Sequence, residues 1–120
     1  MGGTVTFLAS AKRALGAGVT FYGGGVAEGR FGMPALVDLA SELQTPWLGL
    51  FGDQDQGIPV EHVEQLRAAV GDAPVDTEIV RYAEAGHGFH CDLRESYHQA
   101  SAVDAWGRTL GWFATHLEPA

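Results

Sequence analysis

One stretch of this chain gathers side chains that can move a proton or hold a metal. In Tyr82-Ala-Glu-Ala-Gly-His-Gly-Phe-His-Cys-Asp92, His87 stands between two glycines, with His90, Cys91 and Asp92 close behind. Three chemistries fit. A loop histidine can serve as a general base, because imidazole titrates near neutrality. His87, His90, Cys91 and Asp92 are all metal-ligand types. The third reading is a polar turn without further duty. Against metal, zinc sites draw ligands from separated segments, and no second Cys/His cluster exists here. Adjacent His90, Cys91 and Asp92 also cannot readily share one tetrahedral ion. No metal and no other cofactor is expected.

A base needs an orienting acid and a nucleophile. The acid has candidates in "LGLFGDQDQGIP", where Asp53 and Asp55 fall between an apolar run and Pro59. A carboxylate there would accept the Nδ1–H of His87 and fix its tautomer; equally, it could serve the turn or cap the next helix. The nucleophile is harder to place. Cys91 is the only thiol, and on an extended loop it would point away from His87, with Asp92 disfavouring its thiolate. Ser10 and Ser41 fall on helical stretches, while Ser96 and Ser101 lie downstream of the histidine and fit no strand-to-helix elbow. His62 and His116 read as surface residues of helices, the latter suited to a helix C-terminus. His98 receives no role.

These residues depend on the elements that carry them. Val5, Leu8 and Leu15 give a helical stripe over about residues 4–15, closed by Gly16 and Gly18. "GVTFYGGG" reads as a short buried strand from Val19 to Tyr22. Leu36, Leu39, Ala40 and Leu43 space a second helix from Pro34 to Gln44. "PWLGLFG" is apolar almost throughout, as a strand covered on both faces requires. Pro59 opens a third helix whose stripe is Val60, Val63, Leu66 and Val70. "DTEIVRYA" supplies another strand, and Trp106, Leu110, Phe113 and Leu117 stripe the last helix. Strands alternating with helices predict an α/β fold of three layers (αβα), with about three parallel strands and four helices. In such sheets chemistry gathers at the carboxyl ends of the strands, where both the Asp53–Asp55 turn and the His87 loop fall. Trp106, Trp112 and Phe113 read as core. Tyr22, Trp47 and Phe89, near strand ends or the His87 loop, are candidates to line a pocket, against a default of core packing.

Composition narrows the function. The chain has 120 residues, 46% of them hydrophobic, and a net charge of −8, which fits one globular domain. The acidity argues against nucleic acid or an anionic membrane as partner. No run approaches the ~20 apolar residues of a membrane span. "MGGTVTFLASAKR" sets its basic residues after the apolar stretch, the reverse of a secretory signal. With one cysteine, this points to the cytoplasm.

"LFGDQDQGIP", "YAEAGHGFHCD" and "AWGRTLGWF" together resemble the C-terminal half of the dienelactone hydrolase family, a branch of the α/β-hydrolases, and the likeness runs back through "VTFYGGG" to "MGGTVTFLAS". It covers residues 1–120 in order. The resemblance implies hydrolysis of a small ester or lactone, of the carboxymethylenebutenolidase kind, by a triad of nucleophile, aspartate and histidine. The Gly52-x-x-Asp55-x-x-Ile58-Pro59 match selects Asp55 over Asp53, and His87 aligns as the base. The family's nucleophile, in Gly–x–Cys–x–Gly–Gly, aligns immediately before Met1, so that Met1 would carry the backbone N–H of the oxyanion hole. The resemblance thus implies a truncation or a misplaced start, with the strand that feeds the elbow absent and little activity in the fragment. It also leaves a long apolar sheet edge open, through which a homo-oligomer, or a non-catalytic module with an idle His–Asp pair, would bind a partner.

Overall fold

The computed structural model describes residues 1–117. Helix α1 (Gly2–Lys12) leads to strand β1 (Gly18–Phe21), then a short helix α2 (Leu36–Leu39) that tightens into a 3-10 turn at Ala40–Glu42. Strand β2 (Trp47–Gly52), helix α3 (Val60–Val70), strand β3 (Thr77–Tyr82) and helix α4 (Gln99–His116) complete the chain. The three strands are parallel in the order β1-β2-β3, with Val19 opposite Leu48 and Gly49 opposite Ile79. The alternation read from the sequence is therefore the architecture.

Strand β2 is buried at every position, and its alternating side chains build two cores. Trp47 and Phe51 join Phe7, Leu36, Val63, Leu66 and Ile79 under α1, α2 and α3. Leu48 and Leu50 join Phe89 and Ala105 under α4 on the opposite face. The result is the three-layer arrangement, with α4 alone on its side. Among the described residues no helix is long and apolar enough to cross a membrane.

Three expectations need correction. The helix expected over residues 34–44 is one α-turn followed by the 3-10 turn, because the chain must straighten before Pro46 to enter β2. The open edge is short, since β1 has only four residues. The third correction concerns which faces of α1 and α4 are buried. Helix α4 buries Ser101, Ala102, Ala105 and Thr109 and turns Val103, Trp106, Leu110 and Leu117 outward, each at least 48% exposed. Helix α1 buries Thr4, Phe7, Ser10 and Ala11 while Val5 is exposed. Small residues let a helix sit close to the sheet, and their hydroxyls bond back one turn within the helix: Ser10 Oγ donates to the Thr6 carbonyl and Thr109 Oγ1 to the Ala105 carbonyl, both at 2.8 Å.

Candidate active site

The turn after β2 sorts the two aspartates. Asp53 faces β3 and is gripped by Arg81, whose Nε and Nη2 each donate at 2.8 Å; that hydrogen bond, more than the charge, holds its carboxyl below the usual range. Asp55 turns inward, its side chain 2% exposed. One oxygen, Oδ1, accepts the Gly57 N–H at 2.9 Å and fixes the turn. The other, Oδ2, lies 2.6 Å from Nδ1 of His87. One carboxylate thus both closes the turn and contacts the imidazole.

The His87 loop reaches this aspartate because it crosses the end of β2 at close range. The Gln54 N–H donates to the Ala85 carbonyl at 2.9 Å, and a Cβ at Gly52 would sit 2.3 Å from that same carbonyl oxygen. Past the histidine, Gly88 takes φ +80°, the left-handed conformation that glycine adopts without penalty. A carboxylate oxygen accepts, so the 2.6 Å contact directs the Nδ1–H of His87 at Asp55 and leaves Nε2 as the outward nitrogen. The His87 side chain is 47% exposed, with one side in a hollow of about 560 Å³ whose lining includes Met1, Gly2, Tyr22, Cys91 and Arg94. The first turn of α1 forms part of that wall, and its leading N–H groups have no partner within the helix.

Met1 and Tyr22 both line the hollow beside His87. Trp47 and Phe89 do not line the hollow: both are 0% exposed. Trp47 packs edge-on against Phe7, with ring centroids 4.8 Å apart, and its Nε1 donates to Thr20 Oγ1 at 2.9 Å. Phe89 lies beneath Tyr22, centroids 5.4 Å apart, as a floor rather than a wall. Trp106, read as core, is half exposed and contacts His90, with centroids 5.9 Å apart. His90 also lies against Phe21, and among the described residues no three metal-ligating side chains are gathered. Cys91 corrects the expectation of an extended loop. Its N–H bonds the Gly88 carbonyl at 2.9 Å, and that turn brings it to the hollow it shares with His87.

Three features escaped the sequence. Tyr22 has φ +41°, and burial first, then the nearby Cys91, push its hydroxyl above its ordinary value, against the opposing pull of Arg94 and the His90 backbone. Arg94 reaches the hollow over Gly88. His98 caps α4: its Nδ1 lies 2.7 Å from Ser101 Oγ and accepts the Ser101 N–H at 3.3 Å. Only the glycine at position 88 gave a signal for any of these, since no side-chain pattern marks a tyrosine in the left-handed region or a histidine cap.

A parallel sheet covered on both faces, with a histidine and a buried aspartate paired over its carboxyl edge, is the layout of an α/β-hydrolase. The dienelactone hydrolase family profile matches residues 1–117. A candidate carboxymethylenebutenolidase of Yersinia pestis is 45% identical over 117 residues, 96% of this chain and 44% of that protein. The crystal structure of a candidate dienelactone hydrolase from Klebsiella pneumoniae superposes with a TM-score of 0.86 at 45% identity, over 93% of this chain and 48% of the other. Acylaminoacyl peptidase of Pyrococcus horikoshii, at 15% identity and TM-score 0.75 over 97% of this chain and 23% of its own, shares the fold. The chain belongs to the dienelactone hydrolase family. It spans less than half the length of the Yersinia relative.

Proposed function

We propose that this chain forms the acid–base half of an ester or lactone hydrolase, and that His87 and Asp55 are its base and orienting acid. The observation that carries the reading is the 2.6 Å contact between the exposed imidazole and a buried carboxylate. In the reaction, Nε2 of His87 takes the proton of a nucleophile as that nucleophile adds to the substrate carbonyl. The tetrahedral oxyanion lies toward the first turn of α1, where the backbone at Met1 and the helix dipole favour negative charge. Collapse breaks the carbon–oxygen bond of the ester, and the leaving oxygen receives the proton from His87. The imidazole then deprotonates water, whose attack on the acyl group releases the carboxylate product and restores the nucleophile. That nucleophile comes from a segment of the family's preceding half. The single free cysteine fits action in the cytoplasm, and the reaction calls for a small ester or lactone and no cofactor.

The test is hydrolysis of p-nitrophenyl acetate by the chain alone and mixed with a polypeptide carrying the preceding half of the Klebsiella relative. Turnover that rises on mixing, disappears in His87→Ala and persists in Cys91→Ala is the expected result. Turnover that ignores His87→Ala, or that depends on Cys91 alone, overturns the assignment.

A second reading, self-association without catalysis, has its own observation: β1 is paired on one side only among the described residues, and the outward face of α4 carries Val103, Trp106 and Leu110. A second copy seated on the outward face of α4 would cover Val103, Trp106 and Leu110. Sedimentation of the parent chain beside a Val103→Lys, Leu110→Lys variant decides it: a dimer in the first and a monomer in the second is expected, and identical behaviour in both removes the reading.

A further inference from the structure

We propose that Tyr22 is a positioning residue for His87, holding the imidazole in the plane of the Asp55 carboxylate and presenting an aromatic face to the ring when it becomes cationic. The proposal rests on the reading of His87 as a base, and deepens it. The two rings lie 5.0 Å apart between centroids at 55°, within the range over which an aromatic face attracts a cation. His87 needs such a wall. Its side chain is 47% exposed, and Asp55 holds only one edge of it, which leaves the ring free to turn about that hydrogen bond.

The tyrosine is itself fixed with unusual care. Its backbone sits at φ +41°, a conformation disfavoured for residues with a side chain and kept only where the surroundings over-determine it. The surroundings do so here. Its N–H donates to the Leu50 carbonyl at 2.7 Å, extending the β1–β2 ladder by one residue. Its ring rests edge-on upon buried Phe89, centroids 5.4 Å apart, and against Phe21 at 5.9 Å. A regular strand end would send residue 22 off the sheet; the left-handed turn sends its ring across the top of β2 to the histidine. The other charged or titratable groups around His87 are Asp55, Cys91, Arg94, the amino terminus at Met1 and, across the hollow on its other side, Arg30. Because burial pushes the Tyr22 hydroxyl up, the ring faces the imidazole as a neutral phenol at neutral pH.

The test reads the Nδ1–H proton of His87 by NMR in the 120-residue chain, where a hydrogen bond to a buried carboxylate gives a downfield signal slow to exchange with water. Tyr22→Phe keeps the ring and should keep the signal. Tyr22→Gly suits the left-handed backbone, so the fold survives, but removes the ring; exchange of the proton should then quicken about tenfold. Tyr22→Leu restores bulk without the π face and should lie between. A signal unchanged in Tyr22→Gly, or absent from the parent chain, overturns the proposal. No turnover enters this measurement, so a failure of the ester assay leaves it standing or falling on its own.

Discussion

Asp55 divides its work between its two oxygens, and replacing one of them separates the roles. In Asp55→Asn the amide oxygen can still accept the Gly57 N–H, while the amide nitrogen, now facing His87, can only donate. The imidazole must then accept at Nδ1, which places its proton on Nε2, where the proposed base needs a lone pair. On the proposed assignment, kcat of the mixed preparation should fall by about 10⁴, while urea unfolding of the chain changes by only about 1 kcal/mol. Gly88 is the converse case, a residue whose worth is conformational. Gly88→Ala meets both φ +80° and a Cβ 2.7 Å from the Arg94 guanidinium; the arginine can swing aside, but the backbone cannot. A loss of about 1–2 kcal/mol in urea unfolding is expected. The glycine was legible as punctuation around a histidine. The tyrosine at position 22 was legible only as an aromatic residue near a strand end, because its unusual φ is imposed by Leu50, Phe89 and Phe21 and leaves no trace in local sequence.

At the scale of the elements, periodicity located the helices and strands but misassigned two faces. Helix α3 behaved as its pattern said, burying Val63, Leu66 and Val70. Helix α4 did the opposite, because both of its faces hold residues that can be buried: one bulky and apolar, the other small. Hydrophobicity selects the first and close approach to the sheet selects the second. This inversion is measurable. Trp106→Ser should leave unfolding of the monomer within about 0.5 kcal/mol, despite removing one of the two tryptophans of the helix. Ala105→Leu, at a site 0% exposed against Leu48 and Leu50, should cost about 1–3 kcal/mol by overpacking. The reverse ranking would restore the face read from the sequence. Strand β2 was legible for a different reason: a run of apolar residues bounded by Pro46 and Gly52 has no other stable fate in an α/β sheet.

Two of the polar contacts that join elements of the molecule run through β3. Arg81 ties the end of β3 to the turn after β2 through Asp53, and Asp104 of α4 accepts from both Tyr82 of β3 and Arg108. Both carboxyls are held below their ordinary value, Asp53 by its Arg81 hydrogen bond and Asp104 first by Arg108 and then by Tyr82. A carboxyl depressed in the folded state resists protonation there longer than in the unfolded chain. The unfolded chain therefore binds more protons as the pH falls, and stability declines with it. The contribution is complete above the ordinary carboxylate range, near pH 5, and is lost progressively below about pH 4 as the folded groups titrate in their turn. Because the pairs are partly exposed, salt screens them. Urea midpoints measured from pH 7 to pH 2 should hold nearly level to pH 5 and then drop. An Asp53→Asn, Asp104→Asn double variant should start lower at pH 7 and fall less steeply, converging on the parent in acid. Parallel curves for the two proteins would mean that these carboxyls do not govern acid stability.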